Sequence, residues 1–204
     1  MEPSTAPRSP EARLEALGLA LKRRPVGKVW IPDMVLKPAA VLIPLFIRAG
    51  ELWVLLTQRR ADLRAHAGQI SFPGGGVDAS DPDPSVTALR EAEEEVGIPR
   101  AQVRLIGQLD EYPTVTFFKI SPFVGQIVEP HTVTPNPSEV SEVIELPLSA
   151  FRAPGVHTED PIPFPYPKIG RFKSITNYNV GRHRVWGVTG AILKQLLEIE
   201  ATLG

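Results

Sequence analysis

Phe72-Pro73-Gly74-Gly75-Gly76-Val77-Asp78 leads through a polar turn to Leu89-Arg90-Glu91-Ala92-Glu93-Glu94-Glu95-Val96-Gly97-Ile98. The first piece reads as a strand exit stripped of side chains. The second reads as a helix with four carboxylates in five positions. Residues three and four apart share a helix face, so Glu91, Glu94 and Glu95 are close neighbours. Three like charges repel there, and a surface helix gains nothing from them. A divalent cation removes the repulsion, and oxygen donors suit Mg²⁺ or Mn²⁺ better than zinc, which prefers Cys and His. Taken alone, the three glutamates fit a solvated acidic face more economically. Their setting reverses that.

The setting is punctuated by caps. Asp83 reads as an N-cap with Pro84 at the first helical position, and Gly97 followed by Pro99 reads as the C-terminal stop. Upstream, 39–47 is a buried-strand run in which Pro44 suggests an edge or a bulge. Ala49-Gly50 turns the chain, and 52–57 returns as the other arm of a hairpin. A polar, Arg-rich loop is expected over 58–67 and a short strand over 69–72. Downstream, 103–109, 117–128 and 143–146 read as strands and 148–151 as a helical turn. The proline-rich stretch 154–167 is expected to lack regular structure. Strands at 172–178 and 185–186 precede an amphipathic helix over 188–203. At the other end, Ser9 and Pro10 open a helix on which Leu14, Leu17 and Leu21 recur, and Pro25 stops it. Residues 1–35 therefore read as an extension with an accessory helix, and 36–204 as the main domain. Strands interleaved with three helices fit a mixed α/β or an α+β layered domain.

Composition narrows the function classes. The chain has 204 residues, 43% hydrophobic and 22% charged, which suits one domain with a real core. A formal net charge of −1 draws neither a phosphate backbone nor an anionic membrane. With no cysteine, disulfides, thiolate catalysis and Cys-based zinc sites are excluded. The longest apolar run, 41–47, is broken by Pro44 and is far too short to span a bilayer. Glu2, Glu11 and Glu15 replace the basic region of a signal peptide, so a cytoplasmic protein is expected.

Two motifs then become specific. Arg90-Glu91-Ala92-Glu93-Glu94-Glu95-Val96-Gly97-Ile98 resembles the second half of the Nudix box, R-E-U-x-E-E-x-G-U with U apolar, and Gly75 supplies the box's leading glycine. The box has Glu six residues after that glycine; here Asp81 holds the place, with one extra residue before the arginine. Leu55-Leu56-Thr57-Gln58-Arg59, then Arg64, Gly68 and Phe72-Pro73-Gly74-Gly75, resemble the signature of the coenzyme A pyrophosphatase branch. That branch has the same longer spacer and Thr87-Ala88-Leu89 before the arginine. Arg60 departs from it, since Ser or Ala is usual there.

The resemblance implies a mixed-sheet α/β/α sandwich and metal-dependent cleavage of coenzyme A to 3′,5′-ADP and 4′-phosphopantetheine. Glu91, Glu94 and Glu95 match the family's metal-binding glutamates, for Mg²⁺ or Mn²⁺. Arg90 precedes Glu94 by four positions, the spacing of a salt bridge that fixes this carboxylate. Gly74 and Gly75 would let backbone approach metal or phosphate. A further acid is expected after the loop at 130–137, with Glu139 favoured over Glu142 as general base. Arg59 and Arg64 fall on signature positions and suit phosphate oxygens. Tyr112, Phe117 and Phe118 read as core packing before pocket lining. The partner implied is a small molecule, with no nucleic acid and no membrane, and a homodimer stays open. Rival readings are an enzyme for ADP-ribose, NADH or a nucleoside triphosphate, and a Nudix-fold binding module without turnover. Retention of all three ligand-position glutamates disfavours the last.

Overall fold

Ser9 accepts the Ala12 N–H and Pro10 fills the first turn, so α1 (Pro10–Arg23) begins where its cap dictates. The computed structural model describes residues 8–62, 66–128, 131–161 and 174–203. After α1 come β1 (Lys37–Arg48), β2 (Glu51–Arg59), β3 (Ile70–Ser71), β4 (Gly74–Gly76) and α2 (Pro84–Val96). Then follow β5 (Val103–Gln108), β6 (Tyr112–Pro113), β7 (Phe118–Ile127) and β8 (Val140–Pro147). The chain closes with β9 (His157–Pro161), β10 (Ser174–Val180), β11 (His183–Trp186) and α3 (Gly187–Ala201).

The main sheet has the order β3-β2-β1-β7-β5, with β4 on β1, β6 on β7 and β8 on β2. It is mixed: β1 runs parallel to β7 and antiparallel to β2 and β4. Ala49 and Gly50, with φ of 51° and 76°, turn β1 into β2 so that Arg48 faces Glu51. A second sheet, β11-β10-β9, is antiparallel. Period-two alternation sorts the apolar residues of β1 and β2 onto two faces. Ala40 and Leu42 meet Ala88 and Ala92 of α2, while Phe46 and Leu55 meet Val96. Ile43, Leu45, Val54 and Leu56 pack instead with Leu14, Leu17 and Leu21 of α1 and with Ile192, Leu193 and Leu196 of α3. The result is an α/β/α sandwich, and α1 fills the same core as α3. Buried Glu200 of α3 pairs with Arg13 of α1 and with Arg152, tying the two helices together. Among the described residues no helix is long and apolar enough to cross a membrane.

Three local expectations need correction. Pro44 lies mid-strand in the sheet's interior, opposite Gly125 of β7, and not at an edge. Leu42 donates its N–H to Pro73 O, and the nitrogen of Pro44, two residues on, faces the same flank. On that flank the pairing with β4 ends at Val41 and the pairing with β2 begins at Leu45, so the missing donor breaks no rung. The loop expected at 58–67 starts later, because β2 continues through Arg59. The proline-rich stretch holds β9, whose Pro161 ends the strand opposite Ser174.

Candidate active site

The acidic helix is set by its caps and by two small residues. Asp83 accepts from Ser85 N at 2.8 Å, and Gly97 closes α2 in the left-handed conformation at φ 71°. Ala88 and Ala92, both fully buried, let α2 lie close on β1, which brings its acidic face to the exit of β4. There the glycines divide their work. A β-carbon on Gly74 would stand 2.7 Å from Val41 Cα, so Gly74 serves close strand packing. A β-carbon on Gly75 would stand 2.5 Å from Cδ of Glu91, so Gly75 makes room for that carboxylate. Gly76 faces open space.

The three glutamates of the box differ in environment. Glu95 is 4% exposed; it accepts the Gly74 N–H at 3.3 Å and lies 3.6 Å from Arg59 Nη1. Burial pushes its carboxyl up to about 8, and the neighbouring charge of Glu91 adds to the rise. Burial also raises Glu91, against the pull of Arg90. Glu94 is half-exposed. Arg90 holds two of them at once: its Nη1 donates to Glu91 Oε1 at 2.9 Å and to Glu94 Oε2 at 3.0 Å. The expected Arg90–Glu94 pair is therefore present, with Glu91 added to it.

Asp81 is a positioning residue that the spacing argument passed over. Its Oδ2 accepts from Arg90 Nη2 at 3.0 Å and from Thr87 Oγ1 at 2.8 Å. The Arg90 guanidinium holds this carboxyl down at about 2. The signal was in the sequence, where Asp81 takes the place of the box's first glutamate.

Arg59 leaves β2 towards the carboxylates, its Nη1 3.6 Å from Glu95 Oε1 and 4.0 Å from Glu139 Oε2. Its buried Nε has no hydrogen-bond partner among the described residues. Arg60 turns away, binding Asp62 and donating to Pro137 O at 2.8 Å, which fastens the loop that carries Glu139. Arg64 lies outside the described residues. Glu139 thus joins the cluster through Arg59, whereas Glu142 pairs with Arg182 and His183 and faces elsewhere. Tyr112 donates to Ala191 O on α3, as core packing requires, but Phe117 stands 56% exposed at a turn. Among the described residues, no three carboxylates or imidazoles already sit close enough to hold an ion. The charges instead lean on Arg90 and Arg59.

A layered α/β domain with a capped carboxylate helix over a glycine exit suits the hydrolase family that the sequence resembles. The family comparison agrees: residues 36–164 match the model of the NUDIX domain. An uncharacterized Nudix hydrolase, NudL, from Photorhabdus laumondii is 38% identical over 161 residues, covering 78% of this chain and 83% of that one. NudL of Escherichia coli strain K12 is 39% identical over 171 residues, covering 78% and 81%. Among solved structures, a Caenorhabditis elegans Ap4A hydrolase in a binary complex superposes with TM-score 0.47 at 23% identity, over 54% of this chain and 80% of that one. The NUDIX domain of Shewanella oneidensis NrtR with ADP ribose gives TM-score 0.45 at 17% identity, over 59% and 79%. The chain belongs to the Nudix hydrolase family.

Proposed function

We propose that this site hydrolyses the diphosphate linkage of coenzyme A and its acyl derivatives to 3′,5′-ADP and (acyl-)4′-phosphopantetheine. The observation that carries the reading is Glu95, a carboxylate 4% exposed and packed beside Glu91 at a bare glycine exit. Such a pair of adjacent carboxylates fits a hard divalent cation, Mg²⁺ or Mn²⁺. Glu91, Glu94 and Glu95 would hold it, and when bound it neutralises diphosphate charge and lowers the pKa of a water.

The protein groups do the rest. Arg90, itself anchored on Asp81, sets the positions of Glu91 and Glu94. Arg59 offers its guanidinium to a phosphate oxygen, which exchanges a loose carboxylate contact for a charge-assisted hydrogen bond. Gly75 makes room for the Glu91 carboxylate at the strand exit, and Gly74 holds Glu95 through its backbone N–H. Glu139 takes a proton from the attacking water as oxygen joins one phosphorus and its bond to the bridging oxygen breaks. The Arg59 signature, continuous with the Phe72 to Gly75 run, is what favours coenzyme A over other diphosphates. The cytoplasm goes with this reading.

The test is a panel of coenzyme A, acetyl-coenzyme A, ADP-ribose, NADH and dATP, with Mg²⁺ or Mn²⁺ and products identified by mass. Coenzyme A and its acyl form are expected to turn over fastest. A preference for ADP-ribose would sink the substrate assignment, and no turnover of any member would sink the reaction.

A further inference from the structure

The turn that carries Glu139 hangs between two anchors, and the first is the end of α2. The last carbonyls of a helix have no partner inside it. Here Val96 O accepts the Thr134 N–H and Glu95 O accepts the Asn136 N–H, both at 2.9 Å. Gly97 permits that approach, since a β-carbon on it would stand 2.9 Å from Thr134 O. Thr134 and Asn136 are thereby fixed to the helix that bears Glu91, Glu94 and Glu95. The chain then turns on Asn136, whose carbonyl accepts from Glu139 N at 3.1 Å and from Val140 N at 2.9 Å. Its side-chain Oδ1 accepts the Ser138 N–H at 3.1 Å, which closes the turn.

The second anchor is the residue after Arg59. Arg60 donates its N–H to Glu139 O at 3.0 Å and its Nη1 to Pro137 O at 2.8 Å. Asp62 grips the other edge of the guanidinium at two points, Nε to Oδ1 at 2.9 Å and Nη2 to Oδ2 at 2.7 Å. That two-point pair fixes the plane of the group and leaves Nη1 for the turn. A β-bulge completes the arrangement: Gln58 pairs with Glu142 but Arg59 with Val140, so Ser141 is the extra residue. The bulge separates the two acids, with Glu139 turned to Arg59 and Glu142 to Arg182 and His183. Arg60 is also where the chain departs from the signature it resembles, which has Ser or Ala, so this anchor is the chain's own.

We infer that Arg60 is a positioning residue for Glu139. It touches no substrate and acts by holding the 134–139 turn, so that the base keeps a fixed place relative to the carboxylates of α2. The inference rests on Glu139 as the base of the proposed reaction. The Arg60–Asp62 pair is exposed, at 43% and 63%, and an exposed pair adds little to global stability. Its effect is local, on the turn at Pro137. Every substitution at 60 except proline keeps the backbone bond to Glu139 O, so loss of the side chain loosens the turn without releasing it.

Turnover of coenzyme A with Mg²⁺ by Arg60→Ala, Glu139→Gln and the double variant tests it, beside hydrogen exchange of the turn's amides in the full chain. Arg60→Ala should lower kcat by about tenfold to 10²-fold, the scale of a reacting group misplaced by an ångström or less. KM and melting temperature should stay close to wild type. In the Glu139→Gln background the same change should lower kcat by less than about twofold, because the group it positions is already gone. Exchange at Thr134, Asn136 and Glu139 should quicken in Arg60→Ala. Losses that multiply in the double variant overturn the inference, since Arg60 then acts on something other than Glu139. An unchanged kcat in Arg60→Ala beside a lowered one in Glu139→Gln overturns the tether and leaves the base standing. Wild-type turnover in Glu139→Gln removes the base; quickened exchange over 134–139 in Arg60→Ala then upholds the hold on the turn, and unchanged exchange overturns it.

Discussion

Gly75 and the Glu91 carboxylate occupy one space: a β-carbon on the glycine would stand 2.5 Å from Cδ of the glutamate. The obstructing group is the end of a flexible side chain, so Gly75→Ala should fold, with Glu91 displaced. A displacement of that size at a reacting centre costs on the order of 10²-fold in rate. The same change at Gly76, which meets nothing within 4 Å, should leave rate and melting temperature close to wild type. Steady-state kinetics on both variants checks the pair. Equal rates in the two would show that Glu91 has no fixed place in the site.

The Arg90–Asp81 contact gives a pH dependence with a definite sign. Asp81 is held at about 2 in the folded chain against an ordinary 3.8, chiefly by the Arg90 hydrogen bonds. A depressed folded-state pKa contributes stability above the unfolded value and loses it as pH falls towards the folded one. The contribution is therefore intact above pH 3.8 and fades between 3.8 and 2. Acid unfolding of wild type should steepen in that window, and Asp81→Asn should flatten it. At pH 7 the same variant should lose turnover, because Arg90 no longer has its anchor. An unchanged acid profile would mean that the contact contributes nothing to stability.

Much of the site was legible because caps and glycines act locally. Asp83, Pro84 and Gly97 bound α2 as their chemistry requires, and spacing alone placed Arg90 against Glu94. What escaped depends on partners distant in sequence. Pro44 reads as an edge or bulge residue until β4 and β2 are seen to leave a gap on its flank. β9 hides among prolines because its pairing strand, β10, begins at Ser174. Arg59 read as part of a loop, although its strand is what aims it at Glu95. A cavity walled by the β10–β11 hairpin joins Gln58 to Trp186, and no local pattern connects those positions.

Glu139 and Glu142 lie three residues apart but point to different partners, so their variants should behave differently. Glu139→Gln should lower kcat by about 10²–10⁴-fold, the range of a lost general base, with KM little changed. Glu142→Gln should leave kcat near wild type, since this acid is shared by Arg182 and His183. Separate kcat and KM values on coenzyme A decide it. Equal effects on kcat would contradict the division.

The N-terminal helix is part of the core. Leu17 is fully buried in the cluster that α3 also fills, so Leu17→Ala should cost about 2–5 kcal/mol in denaturant unfolding. A loss below about 1 kcal/mol, the scale of a surface change, would mean that α1 is dispensable.

The central claim is that Glu95 is kept buried for a cation and a diphosphate, at a cost to the fold. Measuring coenzyme A hydrolysis and thermal stability together in Glu95→Gln tests it most directly. With Mg²⁺ present, release of 3′,5′-ADP should fall by at least about 10²-fold, the scale of a lost group that positions charge. In chelator at pH 9 the variant should melt higher than wild type, because a neutral amide replaces a buried charge. Turnover within a few-fold of wild type, or a variant that loses activity because it melts lower, would contradict the account.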